Sequence, residues 1–177
     1  MAALEQNLVF QSLAGSPHAR LLRGAELGDE LAAAQWSNRD DARDYQGPSH
    51  HTLSCYLAGG TGTFRRERPG AKGSPNTLCV LPAGHESSWV INGDIQLAHL
   101  YVSPERFAAS AVALLDREPR ELQLREGTFL DDPRLVEQFH RLVALDWHES
   151  GERLLASSLA HEMIGHGLLT QVGLRNG

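Results

Sequence analysis

The stretch Leu78–Val102, LCVLPAGHESSWVINGDIQLAHLYV, constrains the fold more than any other part of the chain. An apolar run enters a Pro-x-Gly turn at Pro82–Gly84. A short run follows at Ser87–Ile91, and after Asn92-Gly93 a longer one spans Ile95–Val102. Successive side chains of a strand point to opposite faces. Ile95, Leu97, His99 and Tyr101 therefore share one face, and Gln96, Ala98, Leu100 and Val102 share the other. Asn-Gly between two apolar runs reads as a tight hairpin, because both residues tolerate positive φ. Upstream, Thr52–Leu57, Thr61–Arg65 and Thr77–Leu81 are further short runs, and eight glycines between Gly47 and Gly93 punctuate the series. Short strands separated by glycine turns predict a sandwich or closed barrel.

After Val102 the period changes. Ser103-Pro104-Glu105 combines a capping hydroxyl, a proline suited to the first helical position and an acid near the positive helix end. Phe107, Ala111, Leu114 and Leu115 then recur at helical spacing. Pro119 stops that helix, and Glu121–Arg125 alternates like a short strand or extended linker. Asp132-Pro133 opens a second helix with Leu135, Phe139, Leu142 and Val143 on one face. A third runs from about Glu152 to Val172, with Leu155, Leu159, Met163 and Leu169 among its apolar positions. The N-terminal third is less patterned. Ala19–Trp36 is read as two strands, and Asn38–Pro48, rich in Asp and Arg, as a surface loop.

Composition narrows the function. The chain has 177 residues, 41% of them apolar, enough for one domain with a real core. Its net charge of −6 repels phosphate and argues against nucleic-acid binding by this chain itself. No apolar run reaches the length of a membrane span. The N-terminus MAALEQNLVFQSL lacks the basic and apolar regions of a secretory signal, so a cytoplasmic location is expected. Cys55 and Cys79, inside expected strands, are read as free buried thiols.

Several motifs invite chemistry and fail on spacing. His161-Glu162-Met163-Ile164-Gly165-His166 has its histidines at i and i+5, about 140° apart around a helix, where zinc binding needs i and i+4. Gly59-Gly60-Thr61-Gly62 is followed by neither Lys-Ser/Thr nor a helix, so it is read as a hairpin turn. Arg65-Arg66-Glu67-Arg68 is read as a solvated strand end. No Ser-His-Asp or Cys-His arrangement and no nucleophile elbow is present, and no catalytic residue is assigned. Trp36, Trp89 and Tyr101 are candidates for lining a pocket, as amphipathic aromatics suit small-ligand sites. His99 would act with Tyr101 if their shared face points inward.

Two resemblances follow from these residues. Pro82–Gly84 and its flanking strands are similar to the second half-motif of a cupin barrel, but Ser87 stands at the metal-binding histidine position. The adjacent His50 and His51 would point to opposite faces of a strand, and no acid lies between them and Gly59, so no metal or cofactor is expected. More broadly, Thr52–Leu57, the glycine hairpin, Cys79–Gly84, Trp89, His99–Pro104, the Asp131–Leu135 helix start and the long final helix resemble the N-terminal domain of AraC-type transcription regulators. The resemblance covers most of the chain from about Ala33.

It implies an α+β fold: a cupin-like double-stranded β-barrel, or jelly roll, over residues 1–103, with two or three helices over residues 104–177 packed on it as one unit. It implies a cytoplasmic, non-catalytic effector-binding and dimerisation domain. Its partners would be a small-molecule effector and a second copy, with DNA reached only through a helix-turn-helix domain that these residues do not contain. The ligand-contacting residues expected are Trp36, His51, Trp89, His99 and Tyr101, and the dimer contacts Leu155, Leu159 and Met163. The alternatives are a metal-dependent cupin isomerase or dioxygenase, which would need a transition metal for its chemistry, and a dimerisation module without a ligand.

Overall fold

The strand Ser87–Val102 is the spine of the sheet. The structure, a computed structural model, describes residues 2–175, so the last two residues of the expected helical region lie outside it. The strands in chain order are β1 (Arg20–Gly28), β2 (Leu31–Tyr45), β3 (His51–Ala58), β4 (Phe64–Arg65), β5 (Arg68–Lys72), β6 (Leu78–Leu81), β7 (Ser87–Val102), β8 (Leu122–Leu124), β9 (Gly127–Leu130) and β10 (Val172–Leu174). β7 pairs antiparallel with β2 from end to end, Leu31 facing Val102 and Tyr45 facing Ser87. Its C-terminal half also pairs with β3, and its N-terminal half with β4. The strand order β1-β2-β7-β3-β6-β9, with β4 and β5 attached to the start of β7, wraps into the jelly-roll barrel.

Asn92-Gly93 does not make the expected hairpin. β2 continues alongside β7 past this point, so the chain cannot turn back. The residues instead form a bulge opposite Asp40, where the register shifts between Arg39 and Asp41. Gly93 has φ +79 and Asp40 φ +45, and the Gly93 N–H donates to the Asp40 carboxylate at 2.7 Å. A bulge reverses the alternation of inward and outward residues. Asn38 and Asp41, three apart, are accordingly both buried.

The expected surface loop Asn38–Pro48 is therefore mostly strand, and it carries inward side chains through to the buried Tyr45. Asp41 accepts from Ser16 Oγ at 2.7 Å and Asn38 Nδ2 at 3.1 Å and pairs with Arg43 at 3.2 Å. Burial works against its carboxylate, but these partners outweigh burial and hold its pKa below the ordinary value.

Arg65 is likewise not a solvated strand end. It is 6% exposed, pairs with Glu126 and Glu67, and donates to the Glu86 carbonyl. Its polar appearance in sequence hides a buried ion pair that ties β4 to the start of β9.

The N-terminal segment forms α1 (Ala2–Glu5) and α2 (Leu8–Ala14), helices the sequence reading did not assign. Asn7 caps α2, its Oδ1 accepting from Phe10 N at 3.0 Å. Beyond β7, α3 (Pro104–Leu115) and α4 (Pro133–Ala144) begin where their caps predict, and α5 (Ser150–Gln171), expected from about Glu152, starts at Ser150 behind a Glu149 cap. Ser103 accepts from Arg106 N and Asp132 from Leu135 N. The sheet does not end with β7, however. β9, in the helical half, pairs with β6, and β8 pairs with β10 after α5.

The sheet separates two apolar clusters. Ala33, Leu53, Cys55, Ala98, Leu100 and Val102 face the helices, with Phe139, Leu142, Trp147, Leu159 and Met163 packed on them. Trp36, Tyr56, Cys79, Trp89, Ile95, Leu97 and Tyr101 face the barrel interior, with Phe10 and Leu13 of α2. Cys55 and Cys79 are both buried and free, and they fall on opposite sides of this division. Among the described residues no helix is long and apolar enough to cross a membrane.

Candidate functional site

The alternation of β7 puts Leu97, His99 and Tyr101 on the inner wall, beside Trp36 of β2 and Ser54 and Tyr56 of β3. Trp36 Nε1 lies 3.3 Å from Tyr101 Oη, which lies 2.9 Å from His99 Nδ1. The indole can only donate, so the Tyr101 oxygen accepts from Trp36, and the direction of the Tyr101–His99 bond follows the His99 tautomer. Burial disfavours imidazolium and drops the His99 pKa to about 3, so the ring is neutral. Burial also raises the Tyr101 and Tyr45 phenols, which stay protonated.

His99 opens onto an interior cavity of about 30 Å³, on the order of the space one water occupies. Asn38, Ser54 and Trp89 share its wall with Tyr45, Tyr56 and Cys79, and apolar side chains complete it. No residue of the wall carries a formal charge at neutral pH. Burial pushes the Cys79 thiol up to about 12, so it too is uncharged. The interior can offer hydroxyl, amide and imidazole hydrogen bonds between aromatic and aliphatic faces. A charged group placed there would meet no charged side chain in the wall itself.

Two further aromatic rings pack against the rings of this interior. Phe10 of α2 meets Trp36 edge-on, with ring centroids 5.2 Å apart, and Tyr101 at 6.4 Å. Phe129 of β9 meets Tyr56 at 5.5 Å and Trp89 at 5.8 Å, also edge-on.

Of the expected ligand-contacting residues, the structure brings together Trp36, Trp89, His99 and Tyr101 on the interior side. His51 lies apart. It precedes Thr52 in β3 and so points to the helix side, where its ring packs at a tilt against Phe107, centroids 4.7 Å apart, and its Nδ1 accepts from Ala83 N at 2.9 Å. Burial lowers its pKa to about 4. It lines an outer cleft of about 570 Å³ with Arg120 and Arg175 rather than the interior.

His161 and His166 do not share a site. His161 bonds Asp29 at 3.0 Å and His166 bonds Asp132 at 2.7 Å. Among the described residues, no three His, Cys, Asp or Glu side chains lie together as a metal shell, and the donors present do not suit a cupin metal centre.

The sequence reading missed Asn38, Tyr45, Ser54, Tyr56, Cys79, Leu13 and Phe129. Ser54 and Tyr56 were recoverable from the alternation in Thr52–Leu57. Asn38 and Tyr45 lay in the supposed loop. Leu13 and Phe129 reach the interior only through tertiary contacts.

Of the three expected dimer contacts, Leu159 and Met163 are buried in the chain's own core, and Leu155 is 59% exposed. Among the described residues, the large apolar side chains exposed on α5 are Leu154, Leu155 and Leu169.

A jelly-roll barrel with helices along one wall and an uncharged aromatic interior is the build of a cupin-type ligand-binding domain. Residues 30–164 match the AraC-like ligand binding domain. This chain belongs to that family. No curated protein matches it.

Among solved structures, it is similar to the AraC-like transcriptional activator CuxR. The TM-score is 0.60 at 12% identity, over 90% of this chain and 58% of that one. It thus spans less than two thirds of that activator's length. It also resembles the EutQ protein of Clostridium difficile, at TM-score 0.41 and 10% identity, over 51% of this chain and 73% of that one. A cupin-like protein of unknown function from Ralstonia eutropha gives 0.43 and 13%, over 52% and 59%.

Proposed function

We propose that this chain is the effector-binding and dimerisation part of an AraC-type transcription regulator and that it senses its ligand without transforming it. The observation that carries the reading is the Trp36–Tyr101–His99 hydrogen-bonded relay ending on an uncharged cavity. That arrangement supplies orientation and shape but no activated nucleophile and no poised acid–base pair. His99 is held neutral and the cavity thiol is held protonated. The effector is a small uncharged molecule bound in the barrel, in the cytoplasm. DNA contact belongs to a helix-turn-helix domain outside these residues.

Self-association would use the exposed leucines of α5 together with Val112 and Leu114 of α3, whose side chain lies near Gly165 of α5. Apolar side chains exposed on packed neighbouring helices suit a second copy. Ligand binding would shift the relative position of the paired helices, which is the coupling a regulator needs.

The test is binding of neutral, cationic and anionic metabolite sets to the purified chain, followed by thermal shift and amide NMR. A ligand that binds only the folded state raises its melting temperature. The reading requires neutral compounds to give the shifts and to perturb Ser54, His99 and Tyr101. Stoichiometric iron, manganese or zinc in protein purified without chelators, with turnover of a substrate, would replace it by the enzyme reading.

A further inference from the structure

Phe129 combines several features that the effector reading leaves unused. Its backbone has φ +51, a left-handed conformation that a bulky side chain adopts only when its surroundings enforce it. What enforces it is the ring, wedged edge-on against Tyr56 and Trp89, two rings of the cavity wall. Gly73 leaves it room: a Cβ there would stand 2.8 Å from the Phe129 ring. The Phe129 N–H donates to Cys79 Sγ at 3.5 Å, a weak acceptor that also lines the cavity. The register of β9 against β6 is irregular across this residue.

The flanks are firmly tied. Upstream, Glu126 pairs with Arg65 and, at 3.2 Å, with Arg68. Downstream, three residues on, Asp132 caps α4 and bonds His166 of α5 at 2.7 Å. The strained residue thus sits between a fixed anchor and the link to α5.

We propose that Phe129 occupies the place of the effector's ring: a flat, uncharged ring displaces it from between Tyr56 and Trp89, the backbone relaxes to negative φ, and the movement reaches α5 through Asp132 and His166. This rests on the barrel being the effector site. It adds the ligand's shape class and the residue that transmits binding. The cavity, about 30 Å³, is far smaller than a small-molecule site, so an effector must displace a side chain. Phe129 is the interior ring whose departure also releases backbone strain.

The experiment titrates phenol, benzoate and cyclohexanol into the wild-type chain, Phe129→Gly and Phe129→Ala, and follows the Trp89 indole and His166 imidazole resonances by NMR. Thermal melting checks that each variant folds, and Phe129→Leu replaces Phe129→Ala if the latter does not. Glycine accepts positive φ and removes the ring, so Phe129→Gly opens the subsite. Phenol should bind it at least tenfold tighter than wild type, with cyclohexanol weaker and benzoate not bound.

Alanine leaves positive φ without a ring to hold it, so Phe129→Ala should shift the His166 signals with no ligand present. Saturating phenol should shift both Trp89 and His166 in the wild type. Equal phenol affinity for wild type and Phe129→Gly, or an unmoved His166 in Phe129→Ala, overturns the proposal. If phenol moves Ser54 and His99 but neither Phe129 nor His166, the proposal falls and the barrel site stands. If phenol moves no interior signal in any of the proteins, both fall.

Discussion

The guanidinium carbon of Arg23, on β1, sits 3.8 Å from the centroid of the Trp147 ring, which follows α4. The same side chain donates to the carbonyls of Val143 and Leu145, and its Nε donates to Gln35 at 3.1 Å. Trp147 in turn donates to the Leu142 carbonyl at 2.9 Å. The last carbonyls of a helix lack partners within the helix. Arg23 thus closes the end of α4 from the barrel side and fastens helices to sheet. Arg23→Ala should lower unfolding free energy by about 2–4 kcal/mol, from the lost stacking and charge-assisted hydrogen bonds. Arg23→Lys should recover less than half, because a point charge cannot stack and serve two carbonyls together. Urea denaturation of the three proteins measures both.

The helix α5 makes two separable contributions. Leu159 and Met163 are buried in the core, so alanine at either should cost about 2–5 kcal/mol of stability. Leu154 and Leu155 are exposed. Replacing both with alanine should change stability by less than about 0.5 kcal/mol per site and weaken self-association at least tenfold. Sedimentation equilibrium alongside chemical denaturation separates the effects. Undiminished association would place the interface on another surface.

Two histidines should dominate the stability between about pH 6.5 and 4.5. The folded state holds His99 neutral down to about pH 3 and His51 down to about pH 4. The unfolded chain takes up protons below about 6.5. The unfolded state therefore binds more protons in this window. Stability is full above it and falls as pH drops through it, by up to about 1.4 kcal/mol per pH unit for each histidine. The half-buried His50, whose pKa burial also lowers, adds to the trend. Asp41 and Glu126, with depressed pKa values, lose their contributions only at lower pH. His99→Gln should reduce the slope by about one proton in urea titrations at successive pH values, and an unchanged slope would show that His99 titrates normally.

The two thiols should report on different sides of the sheet. Burial raises each to about 12, so neither is a ready thiolate in the folded state. Ellman's reagent should label both only through opening of the structure, at least a hundredfold slower than in urea. A ligand in the barrel should slow Cys79, which lines the cavity, more than Cys55, which faces the helices. Labelling single-cysteine variants with and without the ligand tests this, and equal protection would argue against a barrel site.

Much of the fold was readable because its signals are local. The alternation in Ile95–Val102 puts His99 and Tyr101 on one face whatever packs there. Ser103-Pro104 and Asp132-Pro133 start helices through bonds to residues three positions on. The family resemblance added the barrel's likeness and order.

Other features depend on partners distant in the chain. Asn92-Gly93 carries the chemistry of a hairpin, yet β2 running beside it makes it a bulge. Arg65 looks solvated until Glu126 is placed beside it. Asn38–Tyr45 reads as a polar loop because its alternation is reversed at Asp40.

The sequence by itself determined where α3 and α4 begin and which of residues 95–102 in β7 share a face, since backbone geometry and capping chemistry act over a few residues. Only the tertiary structure decided that Phe10 and Phe129 pack on the interior rings, that His51 faces away from them, and that Leu159 lies inside the core while Leu155 does not. The reason is physical: burial and ring contacts are set by which surfaces meet, and those surfaces come from segments that can be more than a hundred residues apart.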